Sequence, residues 1–214
     1  MDHEKILLVT TGGTIEAMYN PEEGTPFYVP VPKSAHDTCI PAALHKMGFT
    51  ANVDTYPLAM KDSKEVTTEM LDHILWKAAT EGYQRIVIVH GTDTMPVHAR
   101  YLKRRIAEYG AEYGMDEKSF VFTGAMGPLR DKRGEWRDPE AHPEYNDGWV
   151  NLGLALRDTG AVAPGVYVEM GNGAKEADTI GKHVEVDLPG NHAAKVVHSG
   201  FVADDPTRHI TEIF

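Results

Sequence analysis

Five short runs rich in Val, Ile and Phe, at 6–9, 51–56, 86–89, 120–122 and 166–168, alternate with longer stretches of helical periodicity. No other feature restricts the chain as much. Short apolar runs bounded by turns read as strands buried on both faces, and the helices between them are the crossovers that parallel pairing requires. The fold class is therefore α/β: a single-domain, mostly parallel sheet flanked by helices. A less regular apolar stretch follows at 196–202.

The spacing predicts four helices. Ile40, Ala43, Leu44 and Met47 share one helical face; so do Leu71, Ile74, Leu75, Ala78 and Ala79, opening after Thr67 or Thr68 and closing at Gly82. Met95, Ala99, Leu102 and Ile106 define a third, and Val150, Leu154 and Ala155 a fourth after Asp147, weakened by Gly153. Two stretches break the rhythm with Pro, Gly and mixed charge, and are read as long loops near 19–31 and 128–145. We expect one domain over residues 1–214, without repeats or an interdomain linker.

Almost every strand run passes directly into a polar or glycine-containing turn: Thr10-Thr11-Gly12-Gly13-Thr14, Lys61-Asp62-Ser63, His90-Gly91-Thr92-Asp93-Thr94, Thr123-Gly124-Ala125 and Gly171-Asn172-Gly173. In a parallel sheet all five lie along one edge, and open α/β sheets bind ligands in the crevice outside their strand carboxyl ends. Thr14, Ser63, Thr92 and Asp93 are thereby gathered around one pocket. The glycines match neither the dinucleotide spacing G-x-G-x-x-G nor the phosphate loop G-x-x-x-x-G-K-[ST], which disfavours nucleotides. Hydroxyls beside one carboxylate suit a small polar ligand carrying an ammonium group. A threonine hydroxyl becomes a nucleophile only with a base nearby, a role open to a lysine kept neutral by burial.

Composition excludes several function classes. The 21 basic and 32 acidic side chains leave a net charge of −11, which opposes nonspecific nucleic-acid binding. The longest aliphatic run, Ile6-Leu7-Leu8-Val9, is far shorter than a membrane span, and Met1-Asp2-His3-Glu4 lacks a basic leader. The lone Cys39 is read as a buried small hydrophobe and is compatible with a cytoplasmic location. Eleven histidines show no metal-ligand spacing, so no metal site is expected.

Thr11-Gly12-Gly13-Thr14-Ile15 and His90-Gly91-Thr92-Asp93-Thr94-Met95, in this order and each after an aliphatic strand, resemble the two signatures of the bacterial-type L-asparaginase family. Similarity continues at Lys61-Asp62-Ser63, at Thr123-Gly124-Ala125-Met126 and at Asp147-Gly148, from residue 6 to about residue 187. It covers the amino-terminal domain of the usual two-domain enzymes, so the chain is similar to the short asparaginases. The resemblance implies hydrolysis of L-asparagine to L-aspartate and ammonia without a cofactor. Thr14 is then the nucleophile, Thr92 the second catalytic hydroxyl, Asp93 the ligand of the substrate ammonium, and Ser63 that of its carboxylate, with Gly13 beside them. The family lysine corresponds best to Lys182, with Lys175 as the alternative; the loop tyrosine is Tyr19, with Tyr28 second. A homo-oligomer is expected, since the pocket wall supplied by a second domain in longer relatives must come from elsewhere. Glutamine or another small amide is the competing substrate, and a non-catalytic amino-acid-binding module or an amidotransferase subunit the competing function. Read without the resemblance, Thr-Gly-Gly-Thr is a tight turn, Ser63 a loop hydroxyl and Asp93 a helix N-cap before Met95.

Overall fold

The computed structural model describes residues 5–19, 34–49, 52–138, 147–171, 173–187 and 195–203. Five of the described strands run parallel in one sheet: β1 (Ile6–Gly12), β3 (Val53–Lys61), β4 (Arg85–Val89), β5 (Ser119–Thr123) and β7 (Gly165–Glu169). Their order is β3-β1-β4-β5-β7, and the two-residue β8 (Lys175–Glu176) adds antiparallel to the far edge. The mostly parallel α/β architecture read from the sequence is what the chain adopts.

Side-chain alternation along the strands divides the core into two layers. Leu7 and Val9 of β1 point to the side covered by α2 (Thr68–Thr80) and α3 (Met95–Tyr113), where Leu71, Ile74, Met95 and Leu102 are buried. Leu8 points to the opposite side, covered by α1 (Ile40–Lys46) and α4 (Asp147–Asp158). Burial of each large apolar side chain stabilises such a core by about 1.5–3 kcal/mol. Phe120 and Phe122 of β5, both fully buried, are the bulkiest members of the first layer.

Several elements differ from the sequence expectation. Strand β3 runs on to Lys61 instead of stopping at residue 56, because Pro57 sits on the sheet's edge strand, where a missing N–H costs no ladder bond. Helix α4 forms in a different phase: Leu152, Ala155 and Leu156 are buried while Val150 is 56% exposed. The inward face is completed by Gly148, where a Cβ would lie 2.8 Å from Leu129 Cδ2, and by Asn151, which donates to the Gly124 carbonyl at 2.9 Å. An apolar count misses a face built partly from glycine and asparagine. The stretch at 196–202 lies in β10 (Lys195–Ala203), which pairs antiparallel with β9 (Ile180–Asp187) in a separate two-stranded ribbon. Of the loop read at 128–145, the described part to residue 138 holds β6 (Arg130–Asp131), parallel to β2 (Met18–Tyr19), with Leu129 and Arg137 buried.

Candidate active site

Relabelled by their order in the chain, the parallel strands read second, first, third, fourth, fifth across the sheet. That order reverses between β1 and β4, which places the binding crevice of this topology where the loops after those two strands begin. Thr14 follows β1 and Thr92 follows β4, so the pattern of crossovers brings the two threonines together.

Two close backbone approaches define the spacing. Gly13 has φ +87° and ψ −178°, a conformation nearly restricted to glycine, and its N–H donates to the Lys61 carbonyl at 3.0 Å. A Cβ on Gly13 would lie 2.5 Å from both N and Cα of Gly91, and a Cβ on Gly91 would lie 2.7 Å from Cβ of Ser63. Only hydrogen atoms fit there. The three loops are thus stacked in contact, and the side chains they carry, Thr14, Ser63 and Thr92, are each buried.

Side-chain hydrogen bonds lock the stack. The Thr11 hydroxyl donates to the Val89 carbonyl at 3.0 Å, tying the ends of β1 and β4, and the Thr94 hydroxyl donates to the Ser63 carbonyl at 2.9 Å. Thr94, not Asp93, is the residue capping α3, which corrects the N-cap expectation; its hydroxyl is engaged by Ser63 and makes no cap bond. Asp93 is the exposed member of the group and lies 3.8 Å from the Lys64 ammonium. A carboxylate at the rim beside buried hydroxyls can receive a cationic ligand group without the large cost of a fully buried charge.

Three buried polar groups around the site were not singled out from the sequence. Glu16, two residues beyond Thr14, is fully buried and accepts from the Thr38 hydroxyl at 2.6 Å and the Cys39 N–H at 2.9 Å. It anchors the turn carrying Thr14 to the segment entering α1, and burial raises its pKa. Glu169, fully buried at the end of β7, accepts from the Gly171 N–H at 2.6 Å and holds the turn that follows; burial and the neighbouring Asp158 raise its pKa. His90 is fully buried, with Nδ1 2.7 Å from the Gly91 carbonyl and Nε2 2.9 Å from Nδ1 of His98. Burial holds the His90 imidazole down at about 4, so it is neutral at neutral pH. An ionisable residue interrupting an apolar strand end is a detectable signal for Glu169 and His90; His98 shows only as a helical neighbour of Thr94 at spacing four.

The remaining expected residues are placed by their backbones. Lys182 lies in β9 opposite Phe201 of β10, and the start of β9 is held to α3 by Arg100, which donates to the Ile180 carbonyl at 2.9 Å. Lys175 is exposed on β8, at the edge of the sheet beyond β7. Tyr19 belongs to β2, opposite Asp131 of β6. Tyr28 lies outside the described residues.

The sequence profile described as "Asparaginase, N-terminal" matches residues 5–188. L-asparaginase 1 of Escherichia coli K12 is 31% identical over 164 residues, which are 73% of this chain and 40% of the relative. Among solved structures, a probable cytoplasmic L-asparaginase from Campylobacter jejuni superposes with a TM-score of 0.59 at 20% identity, covering 92% of this chain and 52% of the other. L-asparaginase I from Vibrio cholerae gives a TM-score of 0.59 at 22% identity over 93% and 50% of the two chains. The chain thus spans 40% of that curated relative's length and about half of each structural neighbour's. Carrying both glycine–threonine signatures on adjacent loops of a shared fold, and matched by the profile over most of its length, the chain belongs to the asparaginase family.

Proposed function

We propose that the chain is an amidohydrolase that converts L-asparagine and water to L-aspartate and ammonia through a threonine acyl-enzyme. The observation that carries this reading is the stack of Gly13, Gly91 and Ser63 at the crevice between β1 and β4, which brings two buried threonines and a serine to one place beside a rim carboxylate. In the proposed reaction the Thr14 oxygen attacks the side-chain amide carbon. Its proton passes to the set formed by Thr92, Lys182 and Asp93, and then to the departing nitrogen, which leaves as ammonia. Water then cleaves the ester, returning the proton to Thr14 and releasing aspartate. Ser63 receives the substrate α-carboxylate and Asp93 its α-ammonium, while backbone N–H groups near Gly13 and Thr92 meet the oxyanion, each such donor being worth about 3 kcal/mol. Lys182 rather than Lys175 is the proton acceptor in this scheme, and Tyr19 the tyrosine that closes over the substrate. The full assembly is proposed to be a cytoplasmic homo-oligomer, which light scattering of the active species tests.

The deciding experiment couples ammonia release to mass spectrometry. Thr14→Ala should still bind L-aspartate, release almost no ammonia, and form no covalent adduct with a slow acylating analogue. Thr92→Ala, run in parallel, should lose turnover yet keep an adduct at Thr14. An adduct mapped to Thr92, or near-normal turnover by Thr14→Ala, overturns the assignment. Amino-acid binding by the wild type without ammonia release replaces it with a binding module, and equal kcat/KM for glutamine with a mixed amidase, since one methylene is worth about 1–3 kcal/mol of discrimination.

A further inference from the structure

We propose that His98 is a positioning residue whose Nδ1–H drives a buried relay, fixing the Gly91 carbonyl through His90 and the Ser63 carbonyl through Thr94. The inference deepens the amidohydrolase reading, on which its kinetic part rests. Its basis is a continuous run of contacts beneath the two loops: Gly91 carbonyl to His90 Nδ1 at 2.7 Å, His90 Nε2 to His98 Nδ1 at 2.9 Å, His98 Nδ1 to the Thr94 hydroxyl at 3.3 Å, and that hydroxyl to the Ser63 carbonyl at 2.9 Å.

The two ends of the run decide every proton in it. Both are backbone carbonyls, which can only accept. His90 must therefore carry its proton on Nδ1 to donate to Gly91, leaving Nε2 as an acceptor. His98 must in turn carry its proton on Nδ1, because that atom faces the His90 lone pair. Thr94 spends its hydroxyl proton on Ser63 and turns a lone pair towards His98. One N–H, on His98, thus serves both branches. Protonation of His90 would set two N–H groups against each other at 2.9 Å, and burial of both rings holds their pKa values below the ordinary histidine value. The ring of His90 also packs edge-on to Phe122 at 5.8 Å between centroids, which leaves it in the core.

What this does for the site follows from peptide planarity. The Gly91 C=O and the Thr92 N–H belong to one trans peptide and point in opposite directions, so holding the carbonyl on the buried imidazole aims the N–H away from the core. The hydrogen bond on the carbonyl also polarises the same peptide and strengthens its N–H as a donor. On the other branch, Thr94 fixes the backbone of Ser63, the proposed carboxylate ligand. The relay therefore divides its effects: the His90 branch bears on a group used in the transition state, the Thr94 branch on one used in ground-state binding.

The test uses the full chain in two measurements. Long-range 1H–15N spectra of the histidine rings at pH 7 should show His90 and His98 both as the Nδ1–H tautomer, and His98→Leu should leave the His90 proton on Nδ1, where the Gly91 carbonyl holds it, while moving the His90 Nε2 resonance downfield as that atom loses its hydrogen-bond donor. In kinetics with L-asparagine, His98→Leu should lower kcat about tenfold with KM within threefold, whereas Thr94→Val should chiefly raise KM. His98→Asn, which keeps an N–H at the Nδ1 position, should restore kcat to within threefold of wild type. A purely structural role would lower kcat for all three variants in proportion to the unfolded fraction, which circular dichroism reads. If His98→Leu does not fold, His98→Asn and Thr94→Val carry the same decision. A His90 ring in the Nε2–H tautomer, or unchanged kcat in a folded His98→Leu, overturns the relay. A wild type that releases no ammonia refutes the proposed function instead, and the ring spectra then decide the relay alone.

Discussion

Replacing Gly13 by alanine perturbs the geometry of the site at its tightest point. Two costs add. The backbone conformation, φ +87° with ψ −178°, is one that side chains avoid, at about 1–3 kcal/mol. The new Cβ would lie 2.5 Å from N and Cα of Gly91, where ordinary contact needs 3.4 Å or more, so the two loops must part by about 1 Å. Both colliding partners are backbone, with no flexible side-chain end to turn aside, and such forced repacking costs about 1–3 kcal/mol more. The total, about 2–6 kcal/mol, is a large share of an ordinary domain's stability. Two companion variants separate the terms. Gly114→Ala, at the left-handed C-cap of α3 with nothing within 4 Å of the added Cβ, meets only the backbone term, about 1–2 kcal/mol. Gly91→Ala has no positive φ but would place its Cβ 2.7 Å from Ser63 Cβ, and so meets only the steric term. Urea denaturation of the three variants should rank Gly13→Ala as the least stable. The part of Gly13→Ala that folds should lose about 100-fold in kcat/KM, the usual effect of a 1 Å displacement of catalytic groups. A Gly13→Ala protein as stable as Gly114→Ala and fully active would refute the argument that this contact sets the spacing of Thr14 and Thr92.

Cys39 is buried, and burial together with Glu16 pushes its thiol up to about 12, so a disulfide reagent at pH 8 should label the native protein at least 100-fold more slowly than the urea-unfolded chain; rapid native labelling would contradict the packing of α1 against Glu16. His90 is neutral when folded and takes its proton near pH 4, but near pH 6.5 when unfolded, so its contribution to stability is complete above pH 6.5 and lost as the pH falls towards 4. The loss from this residue is about 3 kcal/mol across that window, and an NMR titration midpoint at pH 6 or above would refute it.

Much of the architecture was legible in the chain because the signals are local. The run Ile6-Leu7-Leu8-Val9 is apolar at every position because both faces of β1 are covered, and β4 and β5 read the same way. The turns were equally legible, since Gly12-Gly13 and Gly91 closely follow apolar strand runs, although the atoms that exclude a side chain there, on Lys61, Gly91 and Ser63, come from distant loops. Parallel pairing alone puts Thr14, Ser63 and Thr92 at one edge, and those three loops do stack there.

Other features depend on partners distant in sequence. The phase of α4 is decided by Gly148 packing on Leu129 and Asn151 bonding to Gly124, contacts that apolar periodicity within the helix does not encode. Thr94 occupies the N-cap position of α3 without making a cap bond, because its hydroxyl proton goes to the carbonyl of Ser63, 31 residues earlier. The antiparallel ribbon of β9 and β10 pairs residues as far apart as Ile180 and Ala203, and its apolar pattern alone does not distinguish a sixth parallel strand from a separate hairpin. His90 and His98 are one strand end and one helix turn in the sequence. Only the packing of α3 on the sheet turns them towards each other and gives one N–H two loops to hold, because hydrogen-bond direction is a property of three-dimensional approach and not of residue type.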